Sequence, residues 1–296
     1  MSTQAYRAGD LEAGRTGSLA DSLAAVGATY YWELRKLVAQ KRSWVGIAAA
    51  AIVELVFLIS IEISKVTPND GPYADPMGQG LRHSGLALTP VVLKEIAYFG
   101  PAIIAALVGG DIVANEDGGG TLKTILVRSV RRGEILAAKA LALFTYVVVA
   151  LLVFGITGIV AGTIAWGFHP LANISGTQIS AGHALGLTFA AIAVYAVPVI
   201  AIASFGLFLS VATRQSVVGA VGTIFYALAL TGLAALPAIK DARPYILVTQ
   251  LHAWHAPFET PTNWALIWHA TWISVLYAAP PLIAAWIVFR RRDVVT

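Results

Sequence analysis

Residues 115–124, NEDGGGTLKT, set three glycines ahead of a lysine and two threonines, residue types that can cradle a nucleotide phosphate. A phosphate loop of the form G-x-x-x-x-G-K-[ST] needs its lysine directly after the last glycine, so that backbone N–H groups and ammonium converge on the same oxygens. Here Thr121 and Leu122 separate Gly120 from Lys123, and no other Gly-Lys pair occurs in the chain. Nucleotide chemistry is therefore not expected in this polypeptide.

Two further groups attract attention. Glu54 lies in the apolar run AAAAIVELVFLISIEI. A central acidic residue costs roughly 2.5–3.5 kcal/mol on the insertion scale, which the apolar neighbours offset. An intramembrane carboxylate is a functional hypothesis by default. It could line a substrate path, bind a cation, or stay protonated in a hydrogen bond inside the bundle. Glu62, eight residues on, reads as a solvated rim charge. In LVTQLHAWHAPFETPTNW, His252, His255 and Glu259 are possible divalent-metal ligands. A structural zinc site usually has four ligands and a stricter spacing, so no metal is assigned. A tryptophan cap at headgroup depth (Trp254, Trp264, Trp268, Trp272) accounts for this stretch better. No nucleophile–base pair stands out, and no catalytic residue is assigned.

The elements that must position these residues are set by composition. Of 296 residues, 57% are hydrophobic and 12% charged, against about 25% charged in a soluble domain. This predicts an integral membrane protein. The chain has no cysteine, which excludes disulfides and thiolate metal sites. The net charge of +4 comes with no clustered basic footprint on a soluble recognition fold, so no nucleic-acid partner is expected.

Spans of roughly 20 apolar residues are predicted at 44–64, 96–110, 135–166, 184–212, 217–236 and 266–289, the second starting near Leu93. Arg35, Lys36, Lys41 and Arg42 precede the first; Lys123, Arg128, Arg131, Arg132 and Lys139 follow the second; Arg214 lies in the fourth turn, and Arg290–Arg292 close the chain. The opposite loops hold fewer, so the positive-inside rule gives six spans with both termini cytosolic. Tyr30, Leu34, Leu37 and Val38 fall at helical spacing, which predicts an amphipathic interfacial helix. The expected organisation is a disordered cytosolic tail over 1–25, the interfacial helix over 26–43, a six-span transmembrane domain over 44–289 with a cytosolic loop at 111–135 and an external loop at 237–265, and a basic tail over 290–296. Gly155, Gly158 and Gly162, with Gly219, Gly222 and Thr223, are small residues that let helices approach closely, within one chain or at a dimer seam.

The cytosolic loop can turn at Gly118–Gly120 and start a short helix, LKTILVR, at Thr121. Its sequence resembles the loop of type-2 ABC exporter permeases, with matching positions at Glu116, Gly120, Thr121, Leu122, Leu126, Arg128, Val130, Arg132, Leu136 and Lys139. The family often has proline where Ser129 stands, which leaves the end of the short helix open. The resemblance implies an all-α polytopic permease. Its coupling helix would dock on a separate cytosolic ATPase through Leu122, Ile125, Leu126 and Arg128, with Glu116 and Arg132 as polar supports. It implies two ATPase copies, which bind ATP and Mg, and a second copy of the permease as a homodimer. No cofactor is expected in this chain. The expected setting is a bacterial-type inner membrane, and the cargo an amphipathic or lipophilic drug, peptide or lipid that meets Glu54. The competing expectations are an ATP-independent ion- or proton-coupled carrier using Glu54, an intramembrane enzyme, and a scaffold of the same fold that moves no solute.

Overall fold

A computed structural model describes residues 19–64, 76–97, 100–110, 112–114 and 131–291. It is mostly helical. Helix α1 (Leu19–Ala39) leads into α2 (Lys41–Ser64); a short α3 (Pro76–Gln79) and a 3₁₀ turn (Gly85–Ala87) precede α4 (Leu88–Ile96) and α5 (Gly100–Gly109). Helix α6 (Arg132–Trp166) follows, then a two-residue strand pair, β1 (Leu171–Ala172) and β2 (Gln178–Ile179), antiparallel. Next come α7 (Ala181–Thr213), α8 (Ser216–Ala235), two 3₁₀ segments (Pro237–Tyr245 and Leu247–Phe258) and α9 (Trp264–Arg291).

Among the described residues, five helices are long and apolar enough to cross a membrane: α2, α6, α7, α8 and α9. The chain is thus a multi-pass, all-α membrane protein. Helix α7 is the most buried of them and packs on α5, α6, α8, α9 and the second 3₁₀ segment.

Several expected boundaries change. The first helix begins at Leu19, inside the tail expected to run to residue 25, because LADSLAAV contains good helix formers and neither glycine nor proline. It stops at Ala39, and α2 starts at Lys41. The elbow between them is held by Trp44 Nε1 donating to the Val38 carbonyl at 2.7 Å. Helix α6 starts at Arg132, inside the stretch expected to be loop, and α9 carries its helix through Arg291.

The predicted second span is two short helices, α4 and α5. At 1.5 Å per residue each covers about 14–15 Å, half of a bilayer core. Pro101 has no N–H to give the Ala97 carbonyl, and the Tyr195 hydroxyl donates to that carbonyl instead, at 3.3 Å. The segment nonetheless runs the length of α6. Gly85 packs against Gly162, the Thr89 hydroxyl donates to the Gly155 carbonyl at 3.3 Å, and the Ile112 carbonyl accepts from Lys139 at 3.3 Å. From Gly162 back to Lys139 is about 34 Å of helix.

The glycines expected at close approaches are used within the chain. Gly162 meets the Gly85 backbone, Gly219 meets Gly110, Gly155 faces the Ile192 side chain, and Gly222 faces Leu209. Backbone-to-backbone approach requires glycine at both Gly85–Gly162 and Gly110–Gly219, since a Cβ on any of the four would strike main chain.

Candidate functional site

The site grows from one end of the bundle, where lysines and arginines gather around the two ends of residues 115–130. On the entering side, Ser210 Oγ near the end of α7 accepts both the Val113 and Ala114 N–H groups, at 3.2 and 3.0 Å. These N–H groups lie beyond the end of α5, and one buried hydroxyl accepts from both. On the departing side, α6 opens with a cap in which the Arg131 N–H donates to Glu134 Oε2 at 3.0 Å. One turn of chain later Lys139 is fully buried.

Lys139 is the central residue of this end. Its Nζ donates to both Glu33 carboxylate oxygens, each at 3.1 Å, and to the Ile112 carbonyl. Glu33 on α1 is itself buried and also pairs with Lys36 at 3.1 Å. One ammonium therefore joins the surface helix, the end of α5 and the start of α6. Two charges have left water here, and such a pair persists only when its hydrogen bonds are satisfied; removing one partner typically costs about 3–5 kcal/mol. Around it the Tyr30 hydroxyl shares a hydrogen bond with Thr145 Oγ1 at 2.8 Å, and the Tyr146 hydroxyl donates to the Ser43 carbonyl at 3.0 Å. The elbow of α1 and α2 is thereby fixed to α6.

The last helix reaches the same end. Arg132 Nη1 donates to the Arg290 carbonyl at 3.2 Å, and the Arg290 guanidinium lies 4.4 Å from the centre of the Trp286 ring. Of the residues expected to dock an ATPase, Arg132 is the one within the described residues; Glu116, Leu122, Ile125, Leu126 and Arg128 lie outside them.

Glu54 is fully buried in α2. Its carboxyl fills the notch that Gly158 of α6 leaves, beside the Thr89 hydroxyl of α4. Among the described residues the Thr89 hydroxyl is the polar group beside it, and neither oxygen meets a donor at full hydrogen-bond geometry. The residue faces the junction of α2, α4 and α6 and does not share a contact with the basic end. Glu62 accepts the Trp166 indole N–H.

At the opposite end, His255 Nδ1 sits 3.0 Å from Glu259 Oε1. Burial pushes His252 below its usual value, and the neighbouring His255 adds to the shift. No group of three metal-ligating side chains occurs among the described residues. The tryptophan cap divides. Trp264, Trp268 and Trp272 are exposed, as expected of an interfacial belt, whereas Trp254 is buried and packs edge-on against His255 and Phe258. The second 3₁₀ segment folds inward on α7 and α9 and carries Trp254 with it.

Glu33, Ser210 and Trp286 were not singled out by the sequence reading. Glu33 did leave a signal: it stands three residues after Tyr30 and four before Leu37, so it lies on the apolar face of the amphipathic helix, where an acid needs a buried partner.

A family model described as a protein of unknown function (DUF2705) matches residues 47–295, and the chain belongs to that family. No curated protein matches it.

Proposed function

We propose that this member of the DUF2705 family is the permease subunit of an ATP-binding-cassette exporter, moving an amphipathic or lipophilic cargo with ATP hydrolysed by a separate chain. In this reading the segment from Gly85 to Ile112 is the sixth crossing. The Lys- and Arg-rich end faces the cytosol of a bacterial-type inner membrane, with both termini on that side. Residues 121–128 form the coupling helix. Leu122, Ile125, Leu126 and Arg128 dock on the ATPase, with Glu116 and Arg132 in support, and two permease copies work with two ATPases.

The observation that carries the proposal is the anchoring of both ends of residues 115–130. Ser210 holds the entering strand at Val113 and Ala114. Lys139 joins the departing helix to Glu33 and Ile112. A force on the loop would pass into α1, α5, α6 and α7 together instead of being lost in slack chain, as a rigid-body switch requires. Glu54 is sealed while α2 and α6 stay packed, so it meets cargo only when they part.

The test is co-purification of the full chain with ATPases of its host, comparing wild type with Leu126→Asp and following ATP hydrolysis after reconstitution. Retention by wild type and loss in the variant is the expected result. A stable wild type that retains no nucleotide-dependent partner sinks the reading. A carrier driven by an ion or proton is the second reading, favoured by the buried Glu54 carboxyl and the broken α4–α5 crossing, a feature of carrier binding sites. Uptake or efflux that follows an ion gradient without ATP, and is abolished by Glu54→Gln, would establish it.

A further inference from the structure

At the basic end a cavity of about 620 Å³ is lined by Ser22, Arg131, Arg132, Gly133, Glu134, Trp286 and Arg290. We infer that this cavity is a binding site for a phosphate-bearing anion. Arg131 and Arg132 at the cap and first turn of α6, and Arg290 in the last turn of α9, line it, and a guanidinium offers donors in a planar fork that matches phosphate oxygens. The bond from Arg132 to the Arg290 carbonyl ties the start of α6 to the last turn of α9, which fixes the spacing of the two arginines. Trp286 holds the Arg290 guanidinium over its ring at 4.4 Å, so its direction is set before any ligand arrives. Among the described residues Glu134 is the one acid in the lining, and its Oε2 accepts the Arg131 N–H. Gly133, in the N-terminal turn of the 35-residue α6, also lines the cavity, at the positive end of the helix dipole.

The surface above the cavity favours a lipid headgroup as the source of the phosphate. Ile283 and Ile287 are exposed on α9, and with Arg290 they stand at i, i+4 and i+7, on one face. An acyl chain can lie along the isoleucines while its phosphate rests at Arg290, with exposed Trp286 at headgroup depth. Basic pockets between membrane helices recognise anionic headgroups in this way. The inference does not depend on the exporter reading, and its test requires no ATPase.

Full-length protein, stripped of lipid in neutral detergent, is titrated separately with phosphatidylglycerol, phosphatidylcholine and inorganic phosphate. Bound lipid is counted by native mass spectrometry, and thermal midpoints are followed in parallel. Arg290→Gln and Arg132→Gln are compared with Arg35→Gln, which removes a basic residue of α1 that sits over Trp32 and does not line the cavity. Arg290→Gln is an exposed last-turn change, so it keeps the test alive even where Arg132→Gln disturbs the fold. The expected result is preference for phosphatidylglycerol over phosphatidylcholine, weakened about five-fold by each cavity variant and less than two-fold by Arg35→Gln. Protection by inorganic phosphate that is lost in Arg290→Gln supports the same site with a soluble source. Equal binding of the two lipids without any phosphate effect overturns the proposal. So does a loss in Arg35→Gln as large as in Arg290→Gln, since that would be diffuse attraction to a basic face.

Discussion

Replacing Lys139 by methionine removes the ammonium and keeps most of the side-chain volume. In the wild type that ammonium makes two bonds to Glu33 at 3.1 Å and one to the Ile112 carbonyl at 3.3 Å, at a site closed to water. Methionine leaves Glu33 buried with Lys36 as its remaining charged neighbour, and Lys36 is partly exposed. Breaking a buried pair typically costs about 3–5 kcal/mol; retention of Lys36 puts the expected loss near the lower end, about 3 kcal/mol. Glu33→Leu removes the two bonds that Lys139 makes to Glu33 and is expected to cost a similar amount. The double variant Glu33→Leu/Lys139→Met removes both members of the pair, and well-packed apolar replacements of buried pairs are often neutral, so it should lie closer to wild type than either single variant. The assay is equilibrium unfolding in mixed micelles as a double-mutant cycle, with tryptic cleavage after Arg35 and Lys41 reporting whether α1 has left the bundle. Additive single effects, or a single-variant loss under about 1 kcal/mol, would refute the claim that this pair fastens the surface helix.

Gly110→Ala drives a Cβ into the backbone of Gly219 and Ala220 and is expected to cost at least about 1–3 kcal/mol; Gly232→Ala meets nothing within 4 Å and should be neutral or stabilising by up to about 1 kcal/mol. Unfolding midpoints of the two variants decide it. Glu54→Leu removes a buried carboxyl that has the Thr89 hydroxyl beside it, and relief of its desolvation outweighs one weak contact, so stability in detergent should rise by about 1 kcal/mol; a fall would mean that the Thr89 contact holds the carboxyl. Burial lowers the His252 pKa below its usual value of 6.5, so protons bind the unfolded chain more readily than the folded one. The stability from this group is complete above about pH 6.5 and is lost as pH falls from there through the folded value. A thermal midpoint that drops between pH 8 and pH 5, with a smaller drop in His252→Leu, is the expected outcome.

The long spans were legible because their signal is collective. In α6, α7 and α9 twenty or more apolar residues outvote any single polar one, and the sequence places those helices within a few residues of where they fold. The second crossing was legible only as a hydrophobic stretch. Its start at Gly85 depends on a backbone meeting Gly162, about 80 positions away, which no local pattern reports. Pro101 has no N–H for the Ala97 carbonyl, and the Tyr195 hydroxyl that serves that carbonyl comes from α7. Glu33 went unremarked for a related reason. This acid has its partner on another helix, 106 residues away, which no local pattern reports. Trp254 was assigned to the membrane surface by residue type; the inward fold of its 3₁₀ segment overrides that preference.

The difference between a continuous α6 and a jointed α4–α5 bears on how a push at residues 115–130 would travel in the proposed exporter. Helix α6 has no break over 35 residues, so displacement at Arg132 reaches Trp166 with little loss. Helix α5 is fastened to the same end through Ile112 and Lys139 and crosses α7 and α8 at Gly109, Gly110, Gly206 and Gly219, where backbones touch. Those contacts have no long side chains to act as springs, so α5 can pivot there but cannot compress. Helix α4 is held instead to α6, by Thr89 on Gly155. A load applied at the loop would therefore move α5 against α4 at the break, at the depth of the Ala97 carbonyl, while α4 and α6 travel together with Glu54 enclosed between α2 and α6. Opening the Glu54 niche needs the further step of parting α2 from α6, and the elbow bonds from Tyr146 to Ser43 and from Tyr30 to Thr145 resist it. A transport cycle built on this bundle would thus have to release the α1–α2 elbow before Glu54 could meet a cargo.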